Sequence, residues 1–224
     1  MDWGTIAVGC RIGGAPDPMF VSNLMRLVTR GLRNNDYVLD PTIELPHHYA
    51  AECMVNNFIK CKADTLLMLD DDMIFAGDDL EKLRSDKDGF KHDMLGALYQ
   101  SRKPPHNPLC IVNDPKSPTG FSNVSLPAPD CILDVGILGL GFTLVRRSII
   151  KKIAKMKPEK EMMFYWGKCG DSEDAGFCKR VAAAGGTLGV STRVSVGHRM
   201  GLVLRWDAVQ GGAHLFARGM EAKT

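Results

Sequence analysis

The chain predicts an α/β fold, a Rossmann-like and mostly parallel central sheet flanked by helices. Two observations carry this reading. Short apolar runs of strand length alternate with longer stretches whose apolar residues recur at helical spacing. One of those runs, Thr65-Leu66-Leu67-Met68-Leu69, drives straight into three aspartates, Asp70, Asp71 and Asp72. Ligands bind at the carboxyl ends of strands in open α/β sheets, so that is where acids with a task should gather.

The elements follow in order. Thr5 to Cys10 reads as the first strand, and Gly13-Gly14-Ala15-Pro16 as a loop. Asp17 is a helix cap with Pro18 at the first helical position. Phe20, Leu24, Leu27, Val28 and Leu32 then share one helical face. Tyr37 to Leu39 is a short strand. Pro46 opens a helix whose stripe is Ala51, Met54, Val55, Phe58 and Ile59. Thr65 to Leu69 completes a β-α-β-α-β run, the signature of parallel pairing. Asp78 or Asp79 caps a short helix reaching about Arg84, and Met94 to Tyr99 is the next strand. Residues 101–129 are rich in Pro, Ser, Asn and Asp, and connections of that length are often functional lids. Strand character resumes from Ile137 to Val145, followed by a basic helix from Arg146 to Met156. A helix from Ser172 to Ala184 stops at Gly185-Gly186, and Thr187 to Val190 is a last short strand.

Composition narrows the classes. With 224 residues, 45% hydrophobic and 24% charged, one domain spanning 1–224 is expected. The net charge of +2 argues for no partner. No stretch of about 18 apolar residues occurs, so no membrane span is expected. Nor does the amino terminus, with Asp2, resemble a secretory signal. The seven cysteines show no Cys-x-x-Cys pair. They read as reduced thiols of a cytoplasmic protein, and a zinc site is not expected.

Three clusters can carry chemistry. Asp70, Asp71 and Asp72 lie between apolar residues on both sides, and hard oxygen ligands suit Mg²⁺ or Mn²⁺; the plainer alternative is a turn and cap built of Asp. Glu173 and Asp174 open a helix, where the macrodipole favours acids, and either could serve as a general base. His198 sits between Gly197 and the Arg199-Met200-Gly201 run. Glycine allows close backbone approach, and neutral imidazole ligates borderline metals.

In this order the clusters resemble a small glycosyltransferase of the GT-A fold, in the broad family-two-like group. The Asp-x-Asp motif is Asp70 to Asp72. A Gly-x-Gly-Phe strand is Gly139-Leu140-Gly141-Phe142, and a Glu-Asp helix start is Glu173-Asp174 with Phe177 and Arg180 following. The late histidine is His198. The resemblance spans about residues 4–201, leaving 202–224 as a carboxyl-terminal extension. It implies a nucleotide-sugar donor, often a uridine diphosphate sugar, and a divalent cation, Mn²⁺ or Mg²⁺, held by Asp72 and His198. Asp70 would help place the metal or the ribose. Asp70, Asp71, Gly139 and Gly141 would line the donor, and the loop from Cys10 and Arg11 to Gly14 would lie beside the base. Asp174, or Glu173 beside it, would take the acceptor proton in a single, inverting displacement. The chain departs from many relatives where they carry an Arg-Asn pair, having His47-His48 and Asn56-Asn57 instead.

Other readings stay open on the residues alone. A haloacid-dehalogenase-type phosphatase also uses Asp-x-Asp after an apolar strand, with Gly170-Asp171 as a later acid motif, although its aspartates usually end the first strand. A sugar nucleotidyltransferase would need a longer Gly-rich basic loop than Gly13-Gly14 opens. A non-catalytic nucleotide-sugar-binding module is a third alternative. For the acceptor, Arg146, Arg147, Lys151, Lys152, Lys155 and Lys157 crowd one helix. That helix is either a solvated basic face or a contact for an anionic acceptor, with Arg102, Lys103 and His106 adding to it. By analogy with small anchorless bacteriophage enzymes, hydroxymethylated DNA bases are one such acceptor; saccharide and protein hydroxyls are the others.

Overall fold

The structure, a computed structural model, describes residues 2–102, 105–124, 127–156, 162–164 and 172–199, and the backbone of 202–207 and 212–217. Strand β1 (Ile6–Ile12) is followed by helix α1 (Pro18–Arg26), which runs on into a π-helical turn, Leu27–Gly31. Next come β2 (Tyr37–Val38), β3 (Thr42–Ile43), α2 (His47–Lys60), β4 (Thr65–Asp70) and β5 (Met73–Ile74). Then follow α3 (Asp79–Ser85), β6 (Met94–Leu98), β7 (Cys110–Asn113), β8 (Phe121–Asn123), β9 (Ile132–Val135) and β10 (Ile137–Leu138). The chain ends with β11 (Phe142–Arg146), α4 (Arg147–Met156), α5 (Glu173–Ala183), β12 (Leu188–Ser195), β13 (Gly197–His198), β14 (Leu202–Asp207) and β15 (Gly212–Ala217).

The central sheet has eight strands in the order β2-β1-β4-β11-β6-β12-β9, with β3 also on β1. β1, β2, β3 and β4 pair in parallel, as do β6 and β12. β11 lies antiparallel between β4 and β6, and β9 closes the edge antiparallel to β12. The expected mixed α/β architecture is therefore present, and β11 is an inversion that a β-α alternation does not announce.

Alternating residues of the buried strands feed two cores. Ala7, Leu66 and Met68 face α2, α4 and α5, meeting Met54, Ile149 and Phe177. Ile6, Val8, Leu67 and Leu69 face α1 and α3, meeting Phe20, Leu80 and Leu83. Leu66 to Leu69 are wholly inaccessible, which explains their continuous apolar run: a strand covered on both faces cannot alternate with polar residues. Asp17 caps α1 by accepting from the Met19 amide at 2.7 Å, and Ser172 caps α5 by accepting from Ala175 at 3.3 Å.

Several boundaries differ from expectation. The 101–129 stretch contains a hairpin, β7 with β8, joined to β10 in a three-stranded sheet. Strand β9 was hidden by the polar residues around it. Arg146 belongs to β11 and not to the helix that follows. The expectations resting on Lys103, Lys157, Cys169, Gly170, Asp171, Met200 and Gly201 fall outside the described residues.

Candidate functional site

Parallel pairing aligns the carboxyl end of β1 with that of β4, placing Arg11 opposite Asp70. The Arg11 side chain is 3% exposed and grips Asp70 with both arms, Nε to Oδ1 at 2.5 Å and Nη2 to Oδ2 at 2.8 Å. Such a two-armed, charge-assisted pair has strict geometry. Burial opposes the charge on Arg11, but Asp70 and Asp174 outweigh it and hold the guanidinium firmly protonated. Cys10, one residue earlier, points the other way. Its thiol lies in the core, and burial, helped by the Asp70 and Asp71 charges, pushes it up to about 12.

Asp71 turns back toward the first loop and accepts the Gly13 amide at 2.8 Å. Burial raises its carboxyl above the ordinary range, against the pull of that amide.

Asp72 meets His198 because β5 and β13 form a small ladder of their own, with Met73 opposite His198. His198 Nε2 lies 3.2 Å from Asp72 Oδ2, and Nδ1 lies 2.8 Å from the Gln100 carbonyl oxygen. A carbonyl only accepts, so Nδ1 carries a proton; Nε2 donates to the carboxylate when the ring is protonated, and in the neutral ring it keeps the lone pair that a metal could take. This is the second-shell arrangement that orients a metal-binding histidine. At Asp72 burial favours the neutral acid, but His198 and Arg102 prevail and keep the carboxyl below its usual range. His198 is raised: burial works against its charge, and the Asp72 carboxylate and Gln100 carbonyl overcome it.

A turn at Gly139-Leu140-Gly141 ties the remaining groups together. The Leu140 amide approaches Asp174 Oδ2 at 3.4 Å, the Gly141 amide donates to the Tyr99 hydroxyl at 2.8 Å, and the Gly141 carbonyl accepts the Asp70 amide at 3.0 Å. Both glycines are needed for close approach. A Cβ on Gly139 would stand 2.2 Å from Tyr99 Oη, and one on Gly141 2.8 Å from Met73 Sδ and 3.2 Å from Asp70 Oδ2. Asp174 retains some exposure, yet its Oδ1 is shut off from solvent and has no partner among the described residues. Desolvation dominates there: helped by the Asp70 and Glu173 charges and opposed by Arg11, it pushes the carboxyl up to about 7. Glu173, the neighbouring acid, is likewise half-buried.

The sheet thus gathers Arg11, Asp70, Asp72, Tyr99, Gly139, Gly141, Asp174 and His198 at one end. It does not bring Asp70, Asp72 and His198 together as one ligand set. Among the described residues no three His, Cys, Asp or Glu side chains converge on a common ion position, because Asp70 is committed to Arg11. Tyr99 is a site residue that the sequence reading passed over, and Arg102, read there as part of an acceptor contact, lies instead on Asp72. A charged residue ending an apolar strand, as Arg11 does, is the one signal that could have announced its pairing, since a buried charge needs a counter-charge. The cavity of about 490 Å³ beside His92 and Asp134 opens at the opposite end of the sheet and contains none of these groups.

The basic helix also changes character. Arg146 donates to the His92, Phe90 and Asp2 carbonyls and stacks on Trp3 at 4.1 Å. Arg147 donates to the Phe58, Ile59, Cys61 and Ala63 carbonyls. Both are consumed internally, which removes them from any acceptor surface. Lys151, Lys152 and Lys155 remain exposed.

No protein-family model matches the chain, and no curated protein matches it. Two similar solved structures frame the fold. One is A197 from STIV, with a TM-score of 0.61 and 16% identity, covering 94% of this chain and 93% of that one. The other is GalNAc-T7 with UDP, GalNAc and Mn²⁺, with a TM-score of 0.57 and 11% identity, covering 88% of this chain and 43% of that one. The fold is GT-A-like. At such identities the likeness concerns backbone arrangement, and chemistry must be argued from the site. No helix among the described residues is long and apolar enough to cross a membrane.

Proposed function

We propose that this chain is a glycosyltransferase that moves a sugar from a nucleoside-diphosphate donor to an acceptor hydroxyl, with Mn²⁺ or Mg²⁺ as cofactor. The observation that carries the reading is the meeting of Asp72 and His198, with the imidazole tautomer set by Gln100, at the same sheet end as the half-buried Asp174. The residues fit a divalent cation as an open site. One carboxylate and one imidazole lone pair are offered by the protein, and diphosphate oxygens and water would fill the other positions, as Mg²⁺ and Mn²⁺ accept. Once bound there, the cation would offset negative charge on the leaving diphosphate.

The chain's own residues supply the rest. Asp174, raised by its burial and its acidic neighbours, can take a proton from an acceptor hydroxyl near neutral pH, as a general base must. With Asp174 on one side of the sugar and the diphosphate on the other, a single displacement inverts the anomeric configuration. Arg11 fixes Asp70, so that Asp70 acts through position, toward ribose or sugar hydroxyls, rather than as a free ligand. Asp71 rigidifies the Gly13 loop next to the donor. The Gly-Leu-Gly turn and Tyr99 hold the base relative to the end of β4.

The phosphatase alternative loses support from the same geometry. Its nucleophile would be Asp70, whose two oxygens are both engaged by a buried guanidinium, and the motif ends β4 and not β1. A panel of nucleotide sugars with Mn²⁺ tests the proposal, uridine diphosphate sugars first because GalNAc-T7 was solved with UDP. Donor-specific release of nucleoside diphosphate, followed by labelled transfer to saccharide, protein or hydroxymethylated DNA acceptors, is the expected result. Release of phosphate from p-nitrophenyl phosphate without any nucleotide-sugar turnover would favour the phosphatase.

A further inference from the structure

Arg102 places its Nη1 2.8 Å from Asp72 Oδ2, the same oxygen that faces His198 Nε2 at 3.2 Å. Asp72 Oδ2 is thus faced from two sides, by the guanidinium and by the imidazole, whose Nε2 donates to it when the ring is protonated. The contact is local in a telling way. The segment that leaves β6 provides Tyr99, whose ring meets His198 edge-on at 5.3 Å; Gln100, whose carbonyl orients His198; and Arg102, whose cation lies on Asp72. One short stretch therefore both prepares the histidine and presents a rival to any ion it would bind.

We propose that Arg102 is an internal stand-in for the divalent cation, and that it passes from Asp72 to the donor diphosphate when cation and nucleotide bind. This rests on the reading of Asp72 and His198 as cation ligands. The pairing is suited to exchange: Arg102 is 54% exposed and Asp72 23% exposed, and ion pairs so open to water contribute little. A divalent ion on a carboxylate and an imidazole displaces such a pair. The freed guanidinium has a better partner in a diphosphate, whose oxygens match its planar fork of donors. Arg102 then adds positive charge at the leaving group, while in the empty protein it keeps Asp72 ionised and in place.

The exchange makes opposite demands on one variant, and this makes it testable. Arg102→Gln removes the rival cation, so the full-length protein should bind Mn²⁺ alone several-fold more tightly than wild type, read from the free-ion signal in electron paramagnetic resonance. In saturating Mn²⁺ the same variant should bind UDP roughly tenfold more weakly by calorimetry, the loss of about one charge-assisted contact. Arg102→Lys should restore most of both. Unchanged or weaker Mn²⁺ binding by Arg102→Gln, or unchanged UDP binding, overturns the proposal. Asp72→Ala separates the two levels. If Mn²⁺ binding depends on Asp72 but not on Arg102, the exchange is wrong and the cation site stands. If wild type binds no Mn²⁺, or Asp72→Ala binds it equally, the site and the exchange fall together.

Discussion

Asp174 makes the sharpest residue-level demands. Its carboxyl is raised to about 7, with burial as the leading cause, so the folded protein holds that proton more tightly than the unfolded chain does. The sign follows: its contribution to stability is complete below about pH 4, near the unfolded value, and is lost as pH rises through about 7. Wild type should therefore lose stability across that window in a way that Asp174→Asn does not, as denaturant midpoints of both proteins at pH 5 and pH 8 would reveal. Transfer should follow the opposite trend, rising with pH through the same range, and Asp174→Asn should lower it by roughly a hundredfold or more while donor binding persists. If Glu173→Gln is the variant that fails, the base is one residue earlier. Tyr99→Phe probes the adjoining turn. It leaves the Gly141 amide without its partner and should destabilise by about 1–3 kcal/mol, measured by urea unfolding. Much of this constellation was readable as residue types: an acid triplet after a buried run, an acidic helix start, a histidine following a glycine. The Arg11 pairing was not, because a linear sequence does not say that β1 and β4 are neighbours in a register that sets Arg11 against Asp70.

At the scale of elements, the strongest patterns were the most legible. Helices α1 and α5 start at their Asp17 and Ser172 caps, α1 and α2 bury most of their expected stripes while Val28 and Ile59 stay exposed, and β4 follows its uninterrupted apolar run. The short strands β7, β8 and β9 escaped because three or four residues among Pro, Ser and Asp carry little periodic signal. The basic helix misled for a different reason: charge counts do not separate solvated side chains from those that satisfy backbone. Arg147 caps α2 from a distance, donating to its last carbonyls at 2.9 Å on Phe58 and 3.2 Å on Ile59, with its plane over the Phe58 ring at 4.2 Å. Helix ends leave such carbonyls unsatisfied unless something reaches them. Arg147→Ala should cost about 2–4 kcal/mol, whereas Lys151→Glu or Lys152→Glu should change stability by no more than about 0.5 kcal/mol. Equal effects of the arginine and lysine changes in chemical denaturation would contradict the capping role. If those lysines do contact a nucleic-acid acceptor, the charge reversals should instead flatten the salt dependence of binding.

Across the whole molecule, the sheet sorts its work by end. The carboxyl ends of β1, β4, β6 and β12 gather the acids, Arg11, Tyr99 and His198, while the other end is spent on anchoring, with Arg146 and Arg147 threaded into backbone carbonyls. Everything proposed for function depends on the first end holding a divalent cation through Asp72 and His198. The direct measurement is the melting temperature of wild type and Asp72→Ala with Mn²⁺, with UDP, and with both. A ligand that binds only the folded state stabilises it by about 2.7 kcal/mol at a hundredfold excess over its Kd, which is about 5–10 °C for a domain of this size. Wild type should show that rise with Mn²⁺ and UDP together, Asp72→Ala should fold normally and show none, and an equal rise in both proteins, or no rise in wild type, would contradict the cation site.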